Sequence, residues 1–89
     1  MIAKPGFILR NIVDEYILVP VGVNVAKFKG VVLLNSVSSF LWEKLQTPVT
    51  REELLAMLLE EYDIDEQTAA ADLDEILEQF RELEVIEGE

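Results

Sequence analysis

Histidine and cysteine are both absent from the 89 residues, and seven lysines and arginines stand against eighteen aspartates and glutamates. The first absence removes the commonest general base and the commonest zinc ligand together. The second excludes disulfides and thiolate metal sites, so no redox compartment can be read. No apolar run approaches the roughly 20 residues that span a bilayer. The N-terminus lacks the apolar segment and small-residue cleavage site of a secretory signal. These absences predict a soluble, cytoplasmic protein that works without metal or cofactor and has no membrane partner.

The shortage of positive charge is local. Up to Val49 there are five basic and three acidic residues, whereas from Thr50 onward Arg51 and Arg81 face fifteen carboxylates. Phosphates would be repelled by that second half, which argues against nucleic acid as a partner. Nor is there a catalytic constellation. Ser36, Ser38 and Ser39 have no histidine base and no Gly-x-Ser-x-Gly elbow, and helix capping accounts for them. Phosphate-binding glycine loops are missing. Asp63-x-Asp65 begins like a calcium loop, yet Thr68 stands where that loop requires glycine and Asp74 where it ends in glutamate. A non-enzymatic, binding role is what remains.

What is present is a generous hydrophobic fraction, 51%, enough for one compact domain over residues 1–89. Residues 7–12 and 16–20 are rich in β-branched and aromatic side chains and read as a hairpin. A loop over 21–27 leads to a third strand over 28–34. Its core, Val31-Val32-Leu33-Leu34, is apolar without alternation, so both faces of this strand call for cover. Gly30, just ahead of that run, reads as a bulge. Helices are predicted over 36–46, 51–62 and 66–83.

The first helix follows an N-cap at Asn35 or Ser36, with Val37, Phe40, Leu41, Lys44 and Leu45 on one face. Trp42 lies off that stripe and is expected to contact a second layer. Thr50-Arg51-Glu52-Glu53 is a capping box for the second helix. Asp65 caps the third, whose stripe is Ala69, Leu73, Ile76, Leu77, Phe80 and Leu83, with Asp72 and Gln79 along one flank. Val85-Ile86 forms a short apolar tail suited to docking on the core. Three antiparallel strands followed by three helices make an α+β domain with the element content of a winged helix-turn-helix. The third helix has one arginine among many carboxylates, which does not suit reading DNA.

Several segments together resemble the PqqD family: Tyr16-Ile17-Leu18-Val19-Pro20 within Phe7 to Gly22, Asn35 directly after an apolar strand, and Leu41-Trp42. Thr50-Arg51-Glu52-Glu53-Leu54, Glu61-Tyr62-Asp63-Ile64, and Ala71-Asp72-Leu73 ahead of Leu83-Glu84-Val85-Ile86 continue the series. The resemblance spans about Phe7 to Glu87. It implies a stand-alone recognition element for the leader of a ribosomally made precursor peptide. Such an element presents the leader to a modifying enzyme, often a radical S-adenosylmethionine (SAM) enzyme with a SPASM extension. It further implies that the leader adds as a β-strand beside the third strand, in the groove against the third helix.

The residues' own chemistry fits that mode, since a free sheet edge can pair with an extended peptide. On this chain the strand side would be Phe28, Lys29, Val31, Val32, Leu33 and Leu34. The helix side would be Leu73, Ile76, Leu77 and Phe80, with Asp72 meeting a basic peptide residue and Lys29 an acidic one. Two other readings stay open. One is a scaffold subunit docking to a biosynthetic enzyme through the acidic helix without a peptide ligand. The other is a homodimer paired edge to edge through the third strand.

Overall fold

The computed structural model describes residues 1–22, 24–27 and 30–88, and the statements below concern those residues. Strand β1 is Ile2–Ala3, β2 Phe7–Ile12 and β3 Glu15–Pro20. Helix α1 is Asn24–Lys27 and strand β4 Val32–Leu34; helices α2 (Ser36–Lys44), α3 (Arg51–Glu61) and α4 (Glu66–Glu82) follow, then β5 (Ile86–Glu87). This is the expected three-stranded antiparallel sheet followed by three main helices, with smaller elements added.

Strands β2 and β3 pair antiparallel from Phe7↔Pro20 to Ile12↔Glu15. Val13 and Asp14 join them with φ of 47° and 66°, a two-residue turn whose twist suits the flanking strands. Strand β4 pairs with β3 through Leu18↔Val32, Ile17↔Leu33 and Tyr16↔Leu34, in the sheet order β2-β3-β4. Because side chains alternate, Phe7, Leu9, Tyr16, Leu18, Val32 and Leu34 share the inner face, over the helices. Leu33 points the other way, 70% exposed beside a 9% exposed Leu34. The outer face also carries Ile8 and Ile12, both exposed. The unalternating run thus has one covered face and one open face.

The third strand is shorter than its composition suggested. It begins at Val32, Val31 precedes it, and Phe28 and Lys29 lie outside the described residues. Gly30 sits at a bend with φ of 85° and takes no part in the ladder, so it is not a bulge. The preceding segment, expected to be a loop, contains α1. Asn24 fastens that helix by donating to the carbonyls of Pro5 and Gly6, each at 3.2 Å. Gly6 holds φ of 99°, a conformation that L side chains rarely adopt, and a Cβ there would also displace the Asn24 amide.

Helix α2 buries a wider face than its aliphatic stripe, with Val37, Phe40, Leu41 and Leu45 in or against the core as expected and Trp42 meeting the second layer. Its buried residues are Ser38, Ser39, Leu41 and Trp42, continued by Leu45, while Val37 and Phe40 are half-buried and Lys44 is exposed. The indole widens the face. Trp42 meets the edges of Phe7 and Phe80 at centroid distances of 6.4 and 5.8 Å, and its large buried surface adds to the aliphatic stripe. The small Ser38 and Ser39 let the helix come close, and the Ser39 hydroxyl donates to the Ser36 carbonyl at 3.0 Å.

The caps form as their residue types dictate. Asn35 accepts from the Ser38 amide at 2.8 Å. The Thr50 hydroxyl accepts from the Glu53 amide at 3.1 Å while the Glu53 carboxylate accepts from the Thr50 amide at 2.9 Å. Asp65 accepts from the Thr68 amide and hydroxyl, which hold its carboxyl below the usual range. Helix α4 buries Ala69, Leu73, Ile76, Leu77 and Phe80, the face its spacing predicted. Arg51 clamps α3 to α4 through a two-pronged contact with Asp74 at 2.6 and 2.9 Å. The Val85-Ile86 tail docks as expected, Ile86 entering β5, but its partner is the N-terminal β1, for which two residues gave no periodic signal.

Candidate functional site

Strand β4 is the last strand of its sheet, and no backbone hydrogen bond joins its outer edge to another element among the described residues. An unpaired edge is a row of amide donors and carbonyl acceptors awaiting an extended chain. What makes this edge a site is the surface alongside it. Val32, Leu33 and Leu34 border one side of a depression of about 300 Å³, and Gln79, Phe80 and Glu82 of α4 with the following Leu83 border the other. Two more depressions, of about 240 and 450 Å³, continue it past Asn35 toward the start of α2 and the Asp14-Glu15 turn. Gln79 borders all three. Together they form one trough running along α4.

The helix presents a distinct row of residues to this trough. Asp72, Glu75, Gln79 and Glu82 follow one another at spacings of three and four, so they lie on one side of α4. That row flanks the buried stripe; half-buried Leu83 shows beside it, and Ile76 and Phe80, 8% and 1% exposed, underlie the depressions they line. The trough is therefore apolar beside Val32 and Leu83 and more polar toward Asn35 and Asp72.

The sequence-predicted residues divide accordingly. Val32, Leu33, Leu34, Asp72, Ile76 and Phe80 border the trough. Leu73 and Leu77, expected on its wall, are instead core residues, 0% and 1% exposed. They point between the helices, one step round α4 from the trough-facing row. Val31 is exposed just before β4, and Phe28 and Lys29 fall outside the described residues. Gln79, Glu75, Glu82 and Leu83 were not singled out for the site. The flank position of Gln79 beside the helix stripe was the available signal, since flank residues face whatever lies next to the core.

Charge is unevenly distributed along the trough. Asp72 and Glu75 border its α2 end, with Asp14 and Glu15 nearby. Neither Asp72 nor Glu75 has a cationic partner among the described residues, and Arg51 is occupied by Asp74. That contact lowers the Asp74 carboxyl pKa and raises that of the guanidinium, chiefly through the hydrogen bond between them. Beyond Leu83, at the opposite end, a further depression is bordered by Lys4, Lys27 and Glu84. No group of three or more metal-ligating side chains occurs among the described residues. No helix of the described residues is long and apolar enough to cross a membrane. The arrangement offers strand pairing, apolar burial and charge contacts.

Comparison with known proteins bears on this geometry. Residues 15–86 match the family model described as coenzyme PQQ synthesis protein D (PqqD). A search of curated proteins finds no match. Among solved structures, the chain is similar to TbiB1 in complex with the TbiA(beta) leader peptide. That similarity has a TM-score of 0.77 and 25% identity, and covers 100% of this chain and 98% of the other.

Proposed function

The chain belongs to the PqqD family, and from that premise we propose that it is a peptide-binding recognition element for a ribosomally made precursor. It captures the leader segment by adding it as a strand to β4 and holds it for a modifying enzyme, such as a radical SAM enzyme. The role is non-catalytic: the leader is positioned here and changed elsewhere. Ribosomal precursors are made in the cytoplasm, which is where this work belongs.

The observation that carries the reading is the unpaired edge of β4 bordering an apolar trough against α4. Affinity in such an arrangement comes from main-chain pairing, and selectivity from alternate side chains entering the trough. The likeness to a protein solved with a leader peptide supports it independently of the trough. On this chain the peptide would pair with Val32, Leu33 and Leu34, next to the exposed Val31. Its side chains would rest on Ile76 and Phe80 beside Asp72.

The test is a titration of synthetic leaders, taken from short reading frames beside the gene, into isotopically labelled protein. Amide shifts concentrated on residues 31–34 and on the Asp72–Glu82 row are the expected result. Salt-sensitive binding of a neighbouring enzyme to α4, with no response at β4, would replace the proposal by a docking-subunit role.

A further inference from the structure

The trough is charged at one end in a way that selects its occupant. Helix α4 runs opposite to β4: its Asp72 end lies by Asn35, which follows β4, and its Leu83 end lies by Val32. The apolar part of the trough is centred on Phe80 and Leu83, with the single carboxylate Glu82 beside it, while two unpaired carboxylates, Asp72 and Glu75, stand together at the other end. At a rise of 1.5 Å per residue the Asp72/Glu75 pair and the Phe80/Leu83 pair are about 12 Å apart along the helix axis. An extended peptide advances roughly 3.3 Å per residue and returns a side chain to the same face every second position. Same-face positions two and four residues from an apolar anchor therefore lie roughly 7 and 13 Å away, and a lysine or arginine stem spans either difference.

Resting on the strand-addition reading, we propose that this trough selects peptides bearing a lysine or arginine two or four residues from the apolar side chain seated at Phe80 and Leu83, the cation meeting Asp72 and Glu75. Both carboxylates lack a partner within the chain among the described residues, so a cation gains their field without breaking an existing pair. Asp14 and Glu15 at the same end add to that field. At the opposite end Lys4 and Lys27 offset Glu82 and Glu84, so a cation there gains less. The cation is thus favoured at one end of the trough only, so the side of the anchor on which a peptide carries its basic residue sets the direction in which that peptide lies.

The test is selection of displayed random dodecapeptides against the whole chain, followed by titration of the enriched sequences with the Asp72→Asn/Glu75→Gln double variant. Both positions are exposed, so the variant keeps the fold, which a thermal melt checks. The proposal expects enriched peptides with a basic residue at one of the two spacings from a large apolar residue. It expects the variant to bind them about two- to fivefold more weakly for each charge lost at low salt, with the gap closing in about 1 M salt. Binders that share apolar spacing but no basic residue, or that bind the variant equally, overturn the charge requirement. Strand addition itself survives that outcome if their amide shifts fall on Val32–Leu34. Binders that leave β4 unperturbed overturn both.

Discussion

Leu33 and Leu34 are neighbours of identical composition on the same strand, and the register predicts opposite consequences for removing them. Leu34 is 9% exposed and packs into the core, whereas Leu33 is 70% exposed on the outer face. Truncating a buried leucine to alanine costs about 2–5 kcal/mol, the lower end applying where neighbours can relax. An edge strand is such a place, so Leu34→Ala should cost about 2–3 kcal/mol. With an unfolding entropy near 2.1 cal/mol/K per residue, a domain of this size loses roughly 10–16 °C in Tm. Leu33→Ala removes surface that is mostly hydrated already and should cost no more than about 0.5 kcal/mol, or under about 3 °C. Circular dichroism melts of the two variants decide the matter. Equal losses, or a greater loss for Leu33→Ala, would refute the β3–β4 register and with it the placement of the trough.

Other consequences are as definite. Val13 holds a positive φ that a β-branched side chain disfavours. Val13→Asn with Asp14→Gly should therefore stabilise the protein by about 1 kcal/mol, seen as a higher urea midpoint at unchanged slope. Gly30 has open space around it but φ of 85°, so Gly30→Ala should destabilise by about 1 kcal/mol through the backbone alone, read in the same urea titration. Asp74 has its carboxyl pKa lowered by Arg51, so the native state resists its protonation. Its stabilising contribution is complete above the ordinary carboxylate value near 4 and is lost as pH falls through the lower folded value. The Tm gap between wild type and Asp74→Asn, small because the pair is exposed, should accordingly close below about pH 4. If β4 instead pairs with a second copy, sizing chromatography will show a concentration-dependent dimer that leader peptide dissociates.

The sequence announced its capped helices best, because each start was encoded in a few adjacent residues. Asn35, the Thr50–Glu53 box and Asp65 all cap as expected, and the α4 stripe is buried where its spacing placed it. Long-range choices were less legible. The stripe of α2 was legible except for the exposed Lys44, but that Trp42 would sit between Phe7 and Phe80 and widen the buried face was not, because both partners come from distant elements. The β1–β5 pair joins residues from opposite ends of the chain, each too short to show a period. At the trough, the apolar run located β4, although the strand starts only at Val32. Leu73 and Leu77 could not be told from wall residues without knowing how far α4 turns away from β4. Gln79, polar and unremarkable in a sequence, borders all three depressions only because of that turn.

Strand addition is tested most directly by hydrogen exchange at the backbone amides of Val32, Leu33 and Leu34, with and without a bound leader peptide. The account predicts that amides pointing away from β3 become protected at least tenfold on binding, while their neighbours, already paired with β3, change little. A peptide that binds yet leaves exchange along β4 unaltered would contradict it.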